Sequence, residues 1–455
     1  MPDHADKNLL MAQRIARAVA EAGGRAYFVG GLVRDHILGR ENKDVDLEIH
    51  GITPEKLVQI LSPLGQVLKN GVSFGVFGLR SYEIDIAMPR KETSDGRGSR
   101  DFEDSVDPFL GCEKAARRRD FTMNALMEDV LTGEVLDFFG GRADLRAGVI
   151  RHVDPVTFRE DPLRVLRAAR FAARFGFRVA EETTALASSL DLKDLAPERI
   201  LGEVSKALMK APRPSVFFEE LRRMDQLSLW FPETEALIGV PQDPAHHPEG
   251  DVWIHTMMVL DEAAALRSRA EYPEGFLFSA LAHDFGKSVS TTREGDRIRA
   301  LRHEKTGVAL ARRFLRRISK ETRLERYVLN MVALHMKPNM EAAAKSSVKA
   351  TMHMLDEALC PADLLLLARA DHFGKGEPGS YEEAEAFLRD RLALYRERMA
   401  LPFVQGRDLI EAGARPGPDF TETLVFAHKL RLAGVPKDDA LTQSLAYLRR
   451  LRSEK

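Results

Sequence analysis

The stretch AYFVGGLVRD (residues 26–35), followed by KDVDLEI (residues 43–49), decides the fold. The apolar residues 27–29 predict a short buried strand. Gly30 and Gly31 come next, and they let the backbone approach a ligand without a Cβ in the way. The residues after them suit a helix, and the N-terminus of a helix favours phosphate groups. The stretch therefore predicts a phosphate-binding turn between a strand and a helix.

Acidic residues alternate with apolar ones in the second part of this stretch. Asp44, Asp46 and Glu48 fall on one face of a strand, because side chains in strands alternate with a period of two. Carboxylate pairs of this kind are the hard oxygen ligands that Mg²⁺ prefers. A later strand, residues 82–88, carries Asp85, which we expect as a third carboxylate beside the first two. A solvent-facing strand surface is the alternative for Asp85, and the pattern leaves both open.

Composition limits the class of protein. The 455 residues allow several domains, and 44% hydrophobic with 30% charged residues is typical of a globular protein. The net charge of −2 excludes a uniformly basic nucleic-acid surface. Cys112 and Cys360 have neither disulfide-framework nor metal-ligand spacing. No apolar run approaches the roughly 18 residues of a membrane span, and no signal core is present, so we expect a cytoplasmic protein without membrane contact.

The glycine turn and the aspartate pair together resemble a known signature. GGLVRD followed by Asp44-Val-Asp46 is similar to the catalytic motif of class II nucleotidyltransferases of the polymerase β superfamily, which includes tRNA CCA-adding enzymes and bacterial poly(A) polymerases. The resemblance implies that Asp44 and Asp46 hold Mg²⁺ and, with Asp85, form the catalytic carboxylates.

A basic cluster next to an apolar segment gives a second motif, RRDFTMNA (residues 118–125). Arginines held against a packed segment suit contacts with a triphosphate or a ribose. The string resembles the second motif of the same family, with Met123 where isoleucine is usual. By this resemblance Arg119 binds the nucleotide, together with Gly31 and Arg34 of the first motif.

The stretch REDPLRVLRAARF (residues 159–171) predicts a helix that carries charged residues at every third position. These are Asp161, Arg164, Arg167 and Arg170. Cytosine and adenine both present an exocyclic amine beside a ring-nitrogen acceptor, so one aspartate and one arginine can pair with either base. The stretch resembles the family motif in which side chains replace a template strand. The resemblance implies that Asp161 and Arg164 read the base and that Arg167 and Arg170 help to bind the nucleotide.

Histidine and aspartate residues in the C-terminal half predict a second metal site. The set consists of His255, His283, Asp284 and Asp371. Imidazole and carboxylate together suit a divalent transition metal such as Ni²⁺ or Mn²⁺. The pattern resembles the HD phosphohydrolase superfamily, which implies a metal that activates water for attack on a phosphate. His303 and His335 either bind a second metal or contact phosphate, and the sequence leaves this open.

The motif order predicts an α/β N-terminal nucleotidyltransferase head followed by all-α neck, HD and tail domains. We expect the head at 1–141, the neck for base recognition and tRNA binding at 142–231, a proline-containing linker at 232–250, the HD domain at 251–375 and a helical tail at 376–455. The polar stretch 90–111 predicts a loop. The tail suits tRNA contact or packing in a homodimer.

By resemblance, the chain adds C, C and A in turn to the 3′ end of tRNA from CTP and ATP without a template. Its HD domain is expected to be a phosphohydrolase, acting as a phosphatase or a 2′,3′-cyclic phosphodiesterase. An enzyme that adds only CC or only A shares every motif and stays an alternative. A poly(A) polymerase is disfavoured by the neutral tail and the HD domain, and a non-catalytic tRNA-binding HD protein by the intact motif residues.

Overall fold

The computed structural model describes residues 4–69, 76–93, 103–295, 297–376 and 379–453. The chain forms two compact units. The first comprises Met1–Val204 and Val216–Gln226, and the second comprises Ser205–Ser215 and Leu227–Lys455. Among the helices of the described ranges, none combines the length and the apolar character that crossing a bilayer requires.

The N-terminal half of the chain contains strands and helices in alternation. Its strands are β1 (Arg25–Val29), β2 (Val45–His50), β3 (Val67–Lys69), β4 (Val76–Leu79), β5 (Ile84–Ala87), β6 (Arg90–Thr93), β7 (Glu103–Val106), β8 (Met127–Asp129), β9 (Val135–Leu136), β10 (Val149–Ile150) and β11 (Arg178–Val179). Its helices are α1 (His4–Glu21), α2 (Gly31–Ile37), α3 (Pro54–Leu61), α4 (Cys112–Arg117), α5 (Gly141–Ala147), α6 (Pro155–Glu160), α7 (Leu163–Phe175), α8 (Glu181–Ser188), α9 (Pro197–Lys210) and α10 (Ser215–Arg223).

A mixed seven-stranded sheet in the order β3-β4-β5-β2-β1-β8-β9 organises the head. β2 lies in its centre, antiparallel to β1 and parallel to β5, and this register sets Asp46 opposite Asp85. The apolar residues of β2, Leu47 and Ile49, are fully buried in a core that also contains Ile15 of α1. The alternation in β2 therefore directs its acidic residues to the opposite face of the sheet.

The polar stretch 90–111 differs from the predicted loop. It contains β6 and β7, which pair antiparallel from Arg90 opposite Val106 to Thr93 opposite Glu103. The prediction of a loop was wrong for these residues, because polar strands show no apolar alternation by which to recognise them. Residues 94–102 of this stretch lie outside the described residues.

The C-terminal half is predominantly helical. Its helices are α11 (Pro232–Glu235), α12 (Val252–Leu266), α13 (Pro273–Ala282), α14 (Lys287–Ser290), α15 (His303–Ile318), α16 (Thr322–Leu334), α17 (Met336–Ala343), α18 (Val348–Glu357), α19 (Pro361–Phe373), α20 (Glu382–Ala400), α21 (Gly406–Glu411), α22 (Asp419–Ala433) and α23 (Lys437–Ser453). The strands β12 (Thr291–Glu294) and β13 (Arg297–Ala300) form an antiparallel pair. The predicted fold class, an α/β head followed by helical regions, is confirmed, with β10–β11 and β12–β13 as short additional strand pairs.

The stretch 232–250, predicted as a linker, is folded into the second unit. Glu233 of α11 is buried, and Arg313 Nε and Arg317 Nη1 each donate to its carboxylate at 2.7 Å. The prolines of this stretch lie at the start of α11 and in the turns that follow it. Proline is compatible with both positions, so the stretch can still pack against the rest of the unit. These residues therefore belong to the second, predominantly helical unit.

Candidate functional site

Three carboxylates come together at one face of the head sheet. Asp44 directly precedes β2, Asp46 lies within it, and Asp85 is the neighbour of Asp46 on β5. All three line a cavity of about 380 Å³. Burial raises the pKa of Asp46, and the charges of Asp85 and Asp44 raise it further. Repulsion of this kind between oxygen ligands is relieved by a divalent cation, so the residues fit such an ion.

The glycine turn brings the backbone close to these carboxylates. Gly30 has a φ of 66°, which L-residues rarely adopt. A Cβ on Gly30 would lie 3.4 Å from Arg119 Nη1 and 3.7 Å from Asp46 Oδ2. Gly31 opens α2, where a Cβ would lie 3.3 Å from Asn42 Nδ2. The turn thus needs glycine for its conformation, and Arg119 and Asp46 both lie next to it.

Arg119 lies two residues after α4, and its side chain is held by a hydrogen bond to a residue of β2. Its Nη2 donates to Glu48 Oε2 at 2.8 Å. His50 Nε2 contacts the other oxygen of Glu48, also at 2.8 Å. These contacts and the nearby Arg119 charge outweigh the effect of burial and hold the pKa of Glu48 at about 2. The sequence placed Glu48 on the acidic face but gave no signal that it pairs with a residue 71 positions away.

Arg34 is buried between two elements of the head. Its Nε donates to Asp35 Oδ1 and its Nη1 to Asn124 Oδ1, both at 2.8 Å, and its guanidinium lies over the ring of Phe175. Burial lowers the pKa of Arg34. The structure gives Arg34 the role of bracing α2 against the second motif, and its predicted contact with a nucleotide stays a prediction.

The two residues expected to read the base lie at the start of α7. Asp161 is the residue after α6, and its Oδ2 accepts a hydrogen bond from Arg199 Nη2 of α9 at 2.8 Å. Arg164 donates from Nη1 to the carbonyl oxygen of Thr157 at 2.7 Å and from Nη2 to that of Arg118 at 2.8 Å. Burial lowers the pKa of Arg164. Both side chains are thus anchored, with part of their hydrogen-bonding capacity left over.

Two further arginines of α7, Arg167 and Arg170, make ion pairs within the first unit. Arg167 Nε donates to Asp120 Oδ2 at 2.8 Å, and the Arg167 charge outweighs burial and lowers the pKa of Asp120. Arg170 is 8% exposed, pairs with Glu203 of α9 and lies over the ring of Phe171. Its predicted nucleotide contact also stays a prediction, because the buried pair gives it a bracing role in this structure.

The second motif connects the carboxylates with α7. Arg119 lies beside Gly30 and Asp46, the carbonyl oxygen of Arg118 accepts from Arg164, and the carboxylate of Asp120 accepts from Arg167. Arg119 therefore lies next to the glycine turn near Asp46, while Arg118 and Asp120 contact α7, on which the predicted base-reading residue Arg164 lies. The second motif thus connects the two parts of the predicted site through three consecutive residues.

Four histidines of the second unit, His255, His283, His303 and His335, converge on Asp284. Their Nδ1 atoms each contact a backbone carbonyl oxygen, that of Gly374 for His255 (3.1 Å), and that of the residue three positions earlier for His283, His303 and His335 (2.8 Å each). This arrangement leaves each Nε2 available as a ligand, as is usual for histidines that bind metal.

The Nε2 atoms surround both oxygens of Asp284. His283 Nε2 lies 3.2 Å and His255 Nε2 3.7 Å from Oδ2. His303 Nε2 lies 3.2 Å and His335 Nε2 3.7 Å from Oδ1. Asp371 Oδ1 lies 3.1 Å from His255 Nε2 and completes the predicted set. Among the described residues three groups could hold a metal ion, and they are His247 with Glu249 and His255, His255 with His283 and Asp371, and Asp284 with His303 and His335.

Buried polar atoms in this cluster lack hydrogen bonds of correct geometry. Within the described chain these include His283 Nε2 and both carboxylate oxygens of Asp284. Lys287 Nζ lies 2.7 Å from Asp284 Oδ2, and its charge, with that of His283, outweighs burial and holds the pKa of Asp284 well below its usual value. Orphaned buried ligands of nitrogen and oxygen fit a divalent transition metal. Lys287 was missed by the sequence reading, although its spacing three residues after Asp284 is typical of helical neighbours.

The cluster opens into a cavity of about 800 Å³. Asp284, His303, His335 and Asp371 are among its lining residues, which also include Asp243, uncharged side chains and four lysine and arginine residues. These are Lys287, Arg297, Arg299 and Lys375. These four side chains favour an anionic ligand beside the metal-type residues.

Comparison with known protein families matches two parts of the chain. Residues 26–151 match the Poly A polymerase head domain, and residues 252–375 match the HD domain. The chain is therefore of the nucleotidyltransferase class, with a C-terminal HD domain, as its resemblance predicted.

Similar proteins of known name show which family within this class the chain belongs to. The multifunctional CCA protein of Halorhodospira halophila is 36% identical over 427 residues, which cover 91% of this chain and 98% of that protein. The chain belongs to the family of multifunctional CCA proteins.

Solved structures give the same fold at low sequence identity. The Thermotoga maritima CCA-adding enzyme complexed with tRNA has a TM-score of 0.64 and 20% identity, with 98% of each chain covered. The Bacillus stearothermophilus CCA-adding enzyme in complex with CTP has a TM-score of 0.67 and 22% identity, with 98% of this chain and 99% of that chain covered. At this identity the likeness concerns the fold.

Proposed function

We propose that this chain adds C, C and A to the 3′ end of tRNA from CTP and ATP, without a nucleic-acid template and with release of pyrophosphate. The observation that carries the proposal is the adjacency of Asp44, Asp46 and Asp85 to the base-reading residues through the second motif. Family membership and the tRNA and CTP complexes of proteins with this fold support it.

Asp44, Asp46 and Asp85 would hold Mg²⁺ at the transferase site. When bound, the cation lowers the pKa of the attacking 3′-hydroxyl and neutralises the charge of the departing pyrophosphate. Gly30 lets the triphosphate approach the backbone, and Arg119 balances its charge. The carboxylates thereby bring the hydroxyl and the α-phosphate into line for displacement.

Base selection would follow from the anchored pair on α7. The carboxylate of Asp161 accepts a hydrogen bond from the exocyclic amine of cytosine or adenine, and Arg164 donates to the adjacent ring nitrogen. Uracil and guanine present the opposite donor and acceptor at these positions, so the same pair leaves their edges unpaired. Arg199 and the backbone carbonyls around Arg164 keep the pair in place.

We further propose that the HD domain is a metal-dependent phosphohydrolase, with phosphatase or 2′,3′-cyclic phosphodiesterase activity. His255, His283, Asp284 and Asp371 would hold a divalent transition metal, with Ni²⁺ and Mn²⁺ as the candidates. When bound, the metal activates water for attack on a phosphate. Lys287 and the basic lining of the cavity would orient the phosphate. His303 and His335 form a second ligand group that shares Asp284.

One experiment tests the transferase proposal against partial activities. Purified protein is given tRNAs that end before CCA, after C and after CC, with CTP or ATP separately, and the products are separated by length. Full activity extends the first two with CTP and the third with ATP. Failure of the third reaction alone would indicate a CC-adding enzyme, and failure of the first two alone an A-adding enzyme. Extension with many adenosines would indicate a poly(A) polymerase.

A further inference from the structure

A buried acid and histidine lie directly behind Arg119 and take no part in the function described above. Glu48 and His50 are on β2, two and four residues after Asp46, and their side chains are only 10% and 8% exposed. Glu48 bridges the two neighbours, with one oxygen on Arg119 Nη2 and the other on His50 Nε2, each at 2.8 Å. The three side chains form a continuous row that runs from His50 through Glu48 to Arg119.

The row is fixed at its far end by His50. The ring of Tyr27 meets the His50 ring edge to face at 5.4 Å between centroids. Cys112 Sγ lies 4.0 Å from His50 Nδ1. A buried carboxylate loses its solvation, so it is retained only where its partners are well placed, and such a network has little freedom to move. Glu48 is therefore a rigid support.

The near end of the row reaches the reaction site. Arg119 Nη1 lies beside Gly30, where even a Cβ would come within 3.4 Å, and Asp46 Oδ2 lies on the same side of that turn. Arg119 Nε is buried and has no hydrogen-bond partner among the described residues. With Nη2 committed to Glu48, the guanidinium retains donors that the protein does not satisfy. A buried donor without a partner is costly, which points to a ligand that completes it.

We propose that Glu48 and His50 are positioning residues that orient Arg119 toward the triphosphate of the incoming nucleotide. The inference rests on the proposed transferase function and extends it to two residues outside the predicted site. Because the row ends at the glycine turn and the carboxylates, its effect falls on the phosphates shared by CTP and ATP. Asp161 and Arg164 are held by Arg199, Thr157 and Arg118 and not by Glu48 or His50. Changes to Glu48 or His50 should therefore leave the choice of base unchanged.

The test uses Glu48→Gln in the full-length chain, which retains the size of the side chain and removes its charge. Equilibrium binding of CTP and of ATP is measured together with KM and kcat for tRNA extension. Loss of one charge-assisted hydrogen bond predicts weaker binding and a KM raised by about tenfold for both nucleotides, with unchanged exclusion of UTP and GTP. Glu113→Gln is the matched control, since Glu113 is exposed and pairs with Arg117 at 3.0 Å.

A double-mutant cycle separates positioning from a merely structural role. If Glu48 acts through Arg119, then Glu48→Gln should weaken CTP binding less than about twofold further in an Arg119→Ala background. His50→Gln leaves the Glu48–Arg119 bond in place and should give a smaller increase of KM, which provides a second variant if the first does not fold.

Unchanged binding in both single variants, or the same loss with and without Arg119, would overturn the proposal. Failure of the unmodified protein to extend tRNA would instead overturn the transferase function itself.

Discussion

Replacing Arg164 with alanine should relax the choice of base. Arg164 donates one hydrogen bond to the carbonyl oxygen of Thr157 and one to that of Arg118. Because an arginine side chain has five N–H donors, three of them remain. The remaining donors are held in a fixed direction near Asp161, because both ends of the guanidinium fork are anchored. The variant leaves Asp161 bound to Arg199, so the acidic half of the base-reading pair is retained.

The size of the effect follows from the contact that is lost. A well-placed contact to a base edge discriminates by about 1–3 kcal/mol, which corresponds to roughly a 5- to 150-fold change in selectivity. Loss of the two backbone hydrogen bonds will also slow the reaction, but it slows it for every nucleotide. The ratio of kcat/KM between CTP and UTP therefore isolates base reading from the general loss of activity.

The assay compares single-nucleotide addition with each of the four nucleoside triphosphates. Arg159→Ala is the control, because Arg159 is exposed on α6 and donates to Ser189 Oγ at 3.1 Å. We expect UTP and GTP to be accepted in the Arg164 variant and refused in the control. An unchanged CTP-to-UTP ratio in the Arg164 variant, despite lower overall activity, would refute the role of Arg164 in base reading.

Three further outcomes are expected. Asp46→Asn should abolish addition of both CTP and ATP without lowering the melting temperature, and retained addition would exclude Asp46 as a metal ligand. His283→Ala should remove metal from the HD domain, measured by elemental analysis, and stop phosphate release while tRNA extension continues; loss of both activities would contradict independent sites. Despite burial, Cys112 and Glu48 raise the pKa of His50 from 6.5 to about 9. The charged form of His50 therefore stabilises the folded protein fully below pH 6.5. As the pH rises to about 9, the free energy of unfolding should fall by roughly 3 kcal/mol, a contribution that His50 shares with Glu48. Chemical denaturation should show this decline in the unmodified protein, and an equal decline in His50→Gln would contradict it.

The sequence predicted the head and its carboxylates because local periodicity carries that information. Alternation in residues 44–49 and 82–88 placed Asp46 and Asp85 on polar faces, and adjacent parallel strands brought them together. The strands β6 and β7 could not be predicted, since their pairing depends on a partner strand and not on apolar alternation.

Side-chain contacts between residues far apart in the chain could not be predicted from the sequence. The pairing of Glu48 with Arg119 joins positions 71 residues apart, and nothing local distinguishes Glu48 from its neighbours Asp44 and Asp46. The motif likewise named Arg170 but not Glu203, whose buried pair with it holds α7 against α9. Spatial convergence also placed His303 and His335 around Asp284, a question that spacing left open.

The most direct test of the account is a crystal structure with a non-hydrolysable CTP analogue and Mn²⁺, which anomalous scattering locates. The account predicts manganese bound by Asp44 and Asp46, and the Watson–Crick edge of cytosine hydrogen-bonded to Asp161 and Arg164. Manganese away from these carboxylates, or a cytosine that does not touch α7, would contradict it.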